Sequence, residues 1–122
     1  MLQLPTLTVV EQTSGAVVGD QIRFASTSLA RLIGLLGAAN PRPGEGLLLA
    51  PSSGVHTWGM SFPIDVVTMD RRWRVRRVWE ELPPWRILCP WPTTRIILEL
   101  PAGRTEELRL RAGDQLAFTL HS

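Results

Sequence analysis

The sequence predicts an α+β fold: a compact, mainly β curved sheet or small barrel with two short helices. Three observations predict it. Apolar runs of strand length recur along the chain. Glycine, proline, asparagine and aspartate punctuate them at short intervals. Only two stretches carry helix signatures, and both are short.

The elements follow in order. Residues 6–10 read as a strand, and Thr13-Ser14-Gly15 turns the chain into a second strand over 16–24. Ser26 or Thr27 is a good N-cap for a helix over 28–36. There Leu29, Leu32, Ile33 and Leu36 form one apolar stripe, and Gly37 suits the stop. Asn40-Pro41-Arg42-Pro43-Gly44 is a loop by composition. Residues 46–50 are short and apolar, hence a buried strand; Pro51-Ser52-Ser53-Gly54 turns, and 55–58 resume extended chain. Residues 64–69 and 73–79 are expected to pair around Asp70-Arg71-Arg72. Four prolines and two tryptophans in 82–92 predict a long ordered loop. Residues 95–100 form a strand, Pro101-Ala102-Gly103 opens a second helix running to about Leu108, and Gly113-Asp114 turns into a last strand over 115–120.

With 122 residues the chain has enough material for one domain and not for two, so a single domain over 1–122 is expected. A composition 44% hydrophobic and 20% charged excludes a disordered chain. The absence of a run of about 18 apolar residues excludes a membrane-spanning helix. Met1-Leu2-Gln3-Leu4-Pro5 has no positive region followed by an apolar one, so no signal peptide is expected. Cys89 stands alone and has no internal disulfide partner; a cytoplasmic protein fits best. The pI of about 9.9 looks strongly basic, yet net charge is only +2 and every basic residue is arginine. Long-range attraction to nucleic acid should therefore be weak.

Several motifs stand in a recognisable order: Gly34-Leu35-Leu36-Gly37, Gly44-Glu45-Gly46-Leu47-Leu48-Leu49, Val55-His56-Thr57-Trp58-Gly59-Met60 and Phe62-Pro63-Ile64-Asp65-Val66-Val67. Pro84-Trp85-Arg86, Leu98-Glu99-Leu100-Pro101-Ala102-Gly103 and Gly113-Asp114 follow. On these the chain resembles the DUF192 family, also called UPF0127, a prokaryotic group of uncharacterised proteins. The resemblance covers roughly residues 20–120 and implies a compact, mainly β fold with short helices. It implies no activity. Two departures stand out. Ser52 and Ser53 follow Pro51 where many members keep a cysteine, and Ala38-Ala39 follow the first helix's Gly-Leu motif where many keep an arginine.

The segment from Val55 to Asp65 sets a histidine, a threonine and an aspartate among apolar residues. In extended chain His56, Trp58 and Met60 share one face and Val55, Thr57 and Gly59 the other. His56 is either a core histidine bonded to a carboxylate or carbonyl, or a pocket residue able to move a proton near neutral pH. Asp65, flanked by Ile64 and Val66, needs a partner if buried: His56, Thr57, Arg86 or nearby backbone amides. It is either a structural clamp or a site carboxylate. Glu99 either points to solvent or pairs with an arginine inside the site. Trp85 and Trp91 either wall a pocket over His56 or plug one end of the barrel, and the plug is the favoured placing.

These residues define a candidate ligand pocket: Ser52, Ser53, His56, Thr57, Met60, Asp65, Trp85 and Glu99. The first functional expectation is a module binding a small polar ligand or a protein partner. The alternative is a hydrolase-like enzyme with His56 as acid/base and Asp65 orienting it; catalytic residues, and whether there is a reaction at all, stay open. Ser53, His56 and Asp65 lack the Gly-x-Ser-x-Gly elbow of a serine nucleophile. Two histidines and one cysteine without ligand spacing predict no metal site, and no cofactor motif is present. Arg72, Arg74 and Arg76 are expected on one face of a strand, opposite Trp73 and Val75, as a solvated outer face; nucleic-acid binding through them is the weakest reading.

Overall fold

The structure, a computed structural model, describes residues 5–25, 41–52, 55–56, 61–88 and 93–121. Among them are β1 (Thr6–Glu11), β2 (Val17–Ala25), β3 (Glu45–Leu49), β4 (Val55–His56), β5 (Ile64–Met69), β6 (Val75–Leu82), β7 (Ile87–Leu88), β8 (Ile96–Pro101), the helix α1 (Arg104–Leu108) and β9 (Leu116–Leu120). Seven strands make one sheet in the order β6-β5-β8-β3-β2-β1-β9, and β4 pairs with β7 in a separate two-stranded ribbon. Neighbours are antiparallel except β2 and β3, which run parallel. No helix among the described residues is long and apolar enough to cross a membrane.

The sheet curls until its two edge strands meet. Arg74 bridges Gln115, and the backbone bonds Val75 N–H to Asp114 O (2.8 Å), Gly113 N–H to Val75 O (2.8 Å) and Leu116 N–H to Trp73 O (3.0 Å) tie the start of β6 to the start of β9. The concave face carries the main core: Leu7, Val9, Val18, Ile22, Leu48, Val67, Met69, Val75, Ile96, Leu98, Leu100, Leu110 and Leu116. Each such side chain contributes roughly 1.5–3 kcal/mol of hydrophobic stabilisation.

The opposite face of the central strands is buried as well. Every residue of β5 is buried, as is β8 from Ile96 to Leu100 and β3 from Leu47 to Leu49. Cross-strand pairing puts Val66, Glu99, Leu47 and Trp79 on this second face, away from Leu98, Val67 and Leu48.

Four expectations need adjustment. The strand expected over 73–79 starts at Val75 and runs on to Leu82. Asp70 Oδ1 takes the N–H groups of Arg72 (2.8 Å) and Arg74 (3.1 Å), and Trp73 adopts φ 66°, so the turn reaches further than Arg72. The loop expected over 82–92 contains β7, which pairs with β4. The three-arginine row does not form: Arg72 lies in the turn, Arg74 bridges Gln115, and Arg76 sits in a bulge between the pairs Met69–Val75 and Thr68–Arg77. The arginines from 71 to 77 are nonetheless exposed. Of the two expected helices, that over 28–36 lies outside the described residues, whereas α1 forms where Pro101-Ala102-Gly103 announced it.

Candidate functional site

Asp65 stands on the concave face of β5, fully buried. A bulge in β6 sets Glu80 and Glu81 together opposite it, between the pairs Ile64–Leu82 and Val66–Trp79. Glu81 takes φ 48°, and its N–H, freed from the ladder, donates to Asp65 Oδ1 at 2.8 Å. The other oxygen, Oδ2, accepts from Thr105 N–H at 2.9 Å and from Thr105 Oγ1 at 2.6 Å. Gly103 stands at the N-cap of α1 and has no side chain to cap it. Asp65 supplies that cap from a strand 40 residues away. Arg104 adds a second tie, donating to Val17 O (2.8 Å) and Val18 O (3.2 Å) on β2. These contacts are those of a clamp between sheet and helix.

Glu99 is on the other face, between Val66 of β5 and Leu47 of β3. It is 5% exposed. Oε2 has no hydrogen-bond partner among the described residues. Burial without a compensating charge pushes its carboxyl up to about 8, so it is a neutral acid at pH 7. Neither expectation for Glu99 holds: it does not point to solvent, and no arginine pairs with it among the described residues. The unalternating run Ile96-Ile97-Leu98-Glu99-Leu100 carries the signal, since a strand apolar on both faces is buried on both.

Trp79 extends the same cross-strand row as the β6 partner of Val66. Its indole Nε1 is also buried, with no hydrogen-bond partner among the described residues. The Arg77 guanidinium lies 3.9 Å over its ring. Sequence reading did not single out Trp79, Thr105 or Glu81; the first is visible only once strand register is known, and the others only once tertiary contacts are.

Among the described candidates, Asp65, Glu99, Ser52 and Trp85 stand at separate places. Asp65 and Glu99 sit on adjacent strands but face opposite sides. Ser52 N–H donates to Arg95 O at 2.8 Å, four residues before Glu99 and thus roughly 13 Å along the strand. Trp85 occupies a turn with φ 64° and is 65% exposed, so it does not plug the barrel. His56 is held by its backbone in β4, paired with Ile87. Ser53, Thr57, Met60 and Trp91 lie outside the described residues.

The DUF192 family model, described as an uncharacterized ACR, matches residues 9–118. The UPF0127 protein PH1112 of Pyrococcus horikoshii is 29% identical over 114 residues, 90% of this chain and 97% of that one. A crystal structure of a proposed transcription regulator from Sinorhizobium meliloti superposes with a TM-score of 0.79 at 20% identity, covering 97% of both chains. A protein of unknown function from Novosphingobium aromaticivorans gives a TM-score of 0.75 at 23% identity, covering 93% of this chain and 83% of that one. Both likenesses are of fold.

Proposed function

We propose, for a chain that belongs to the DUF192 family, that the protein is a binding module for a small polar ligand, held on the sheet face that carries Glu99. One observation carries this reading: a carboxyl buried beside Leu47, Val66 and Ile97, with an oxygen that no group among the described residues satisfies. Leaving such a group unpaired costs about 1–3 kcal/mol, and a ligand that satisfies it recovers that energy as affinity. His56 joins the proposal as the second polar group of the pocket on the strength of its sequence setting. Asp65, whose oxygens serve Glu81 and Thr105, belongs to the frame. That use of Asp65 favours a binding module over a hydrolase in which it would orient His56. The Sinorhizobium structure of like fold is that of a proposed transcription regulator, but a net charge of +2 and a broken arginine row favour a small ligand here.

A fragment screen by NMR tests this, run on the wild type, Glu99→Leu and His56→Ala. The expected result is a set of polar fragments that bind the wild type and lose binding in Glu99→Leu. Fragments that bind Glu99→Leu equally well, or none that bind the wild type, would overturn it.

A further inference from the structure

We propose that the outer edge of β9, from Phe118 to Leu120, takes an extended acidic segment of a partner protein as an added strand. Glu99 has no part in this contact. β9 ends the sheet order, and only its start is closed, against Trp73 and Arg74. Beyond Leu116 it pairs on one side, with β1. The register fixes which backbone groups face the open side. Gln12 N–H donates to Gln115 O at 2.9 Å, and His121 N–H donates to Thr6 O at 3.0 Å. Residues 115, 117, 119 and 121 therefore bond to β1, and 116, 118 and 120 turn outward. Leu116 N–H, donating to Trp73 O at 3.0 Å, is the first of the outward set. The N–H and C=O groups of Phe118 and Leu120 follow, with no strand beside them among the described residues.

The two edges of the sheet meet solvent differently. β6 carries Arg76, Arg77, Glu80 and Glu81, all exposed, together with two bulges. Charges and bulges are what keep an edge from pairing with another chain. β9 has neither beyond Leu116: Ala117-Phe118-Thr119-Leu120 holds no charge and no proline, and its pairing with β1 runs without a shift. Phe118 and Leu120 are 50% and 59% exposed, on the side of the sheet that carries Val9 and Leu7. An added strand covers both side chains with its own apolar residues and pairs the free backbone groups.

Charge selects the kind of strand. The turn that closes the start of β9 holds Arg71, Arg72 and Arg74, all exposed, and Arg72 O accepts from Gln115 Nε2 at 2.7 Å. Arg74 Nη1 donates to Gly113 O at 2.8 Å, which brings the turn from Arg111 to Asp114 alongside. None of these four arginines has an ion pair among the described residues. Asp70 Oδ1 and Asp114 Oδ2, the carboxylates of the two turns, accept N–H groups of the turns themselves. A segment with glutamate or aspartate at the end nearest the turns meets this positive excess. A second copy of β9 does not supply it, because residues 115–122 hold no acidic side chain.

The test uses capped pentapeptides of alternating valine and glutamate, or valine and lysine, on the full chain, followed by backbone amide NMR. The glutamate peptide is expected to shift the Phe118 and Leu120 amides, and the lysine peptide to leave them. Leu120→Pro removes an outward N–H and no bond to β1, so it should weaken the glutamate peptide about fivefold, the factor for one hydrogen bond. The double variant Arg71→Ala, Arg72→Ala should weaken it about threefold at low salt, with the difference vanishing at about 0.5 M salt. A glutamate peptide N-methylated throughout, which cannot donate to the edge, should not bind; this arm leaves the protein unaltered. If the glutamate peptide moves neither amide at millimolar concentration, or its N-methylated form binds as well, the added strand falls. If the lysine peptide binds equally, the acidic partner falls. Self-association through the Phe118 and Leu120 amides would make a second copy the occupant. A single-stranded oligonucleotide that shifts the amides of residues 71–74, where the glutamate peptide shifts none, would make nucleic acid the partner. Either result overturns the proposal.

Discussion

Asp65 Oδ2 accepts hydrogen bonds from both the backbone N–H and the hydroxyl of Thr105, at 2.9 and 2.6 Å. This one residue pair fixes the start of α1 against β5. Removing the carboxylate leaves the two buried donors of Thr105, and the part-buried Glu81 N–H, without their acceptor. Asp65→Ala should therefore lower unfolding free energy by about 2–4 kcal/mol, read by urea denaturation. Thr105→Ala should cost about 1–2 kcal/mol. The double variant should show coupling of at least about 0.5 kcal/mol. Strictly additive effects would remove the clamp.

Glu99 makes stability depend on pH. The unfolded chain loses this proton near 4.5, whereas the folded protein keeps it to about 8. Within that window the folded state binds more protons, so stability falls as pH rises. The contribution is fully present below 4.5, is lost progressively towards 8, and is flat above. Glu99→Gln should be more stable than the wild type at pH 9, and the gap should narrow as pH is lowered to 5. The difference between the two proteins is the quantity to follow. It cancels Glu11, whose carboxyl is held low by the N–H groups of Thr13 and Ser14. A gap independent of pH between 5 and 9 would contradict a buried neutral Glu99.

Much of the fold could be read from the sequence. Ile64–Met69 emerges with its observed ends because Pro63 and Asp70 bracket a continuous apolar run. α1 emerges because Gly103 follows Pro101. β6 read early at its start, where the Asp70 turn reaches past Arg72, and short at its end, where the bulge at Glu80–Glu81 breaks the two-residue period on which strand reading depends. The candidate site was less legible. Asp65 and Glu99 both stood out as carboxylates in apolar strands, and neither showed its side. One meets a threonine 40 residues away, and the other faces a second buried surface set by tertiary packing.

Gly46 keeps β3 tight against β8 beside Glu99. A Cβ at this position would lie 2.5 Å from the Glu99 carbonyl oxygen and 2.8 Å from Ile22 Cδ1. The first contact is with backbone, so strands rather than a side chain must move. Gly46→Ala should cost about 1–3 kcal/mol in denaturation. It should also shift the backbone amide resonances of Leu98 and Leu100 more than those of β1. An alanine accommodated without loss would mean that the β3–β8 spacing is not fixed by this contact.

Trp73 and Phe118 hold the meeting edges of the sheet. Their rings stack with centroids 4.6 Å apart and planes inclined by 25°. Trp73 adopts φ 66° to do so, a conformation that costs a non-glycine residue roughly 1 kcal/mol. The stack recovers about 0.5–1.5 kcal/mol beyond its buried area, so Phe118→Ala should cost about 1 kcal/mol or slightly more. The effect should be local, because Phe118 is half-exposed at the edge strand while β5 lies deep in the sheet. Amide exchange separates the two cases. In Phe118→Ala the N–H groups of Val75 and Leu116, which bond across the closure to Asp114 and Trp73, should exchange several-fold faster. That of Val67 in β5 should change only with global stability. Equal acceleration at all three sites would show that the closure opens only with the whole domain, and that the stack does not act as a separate latch.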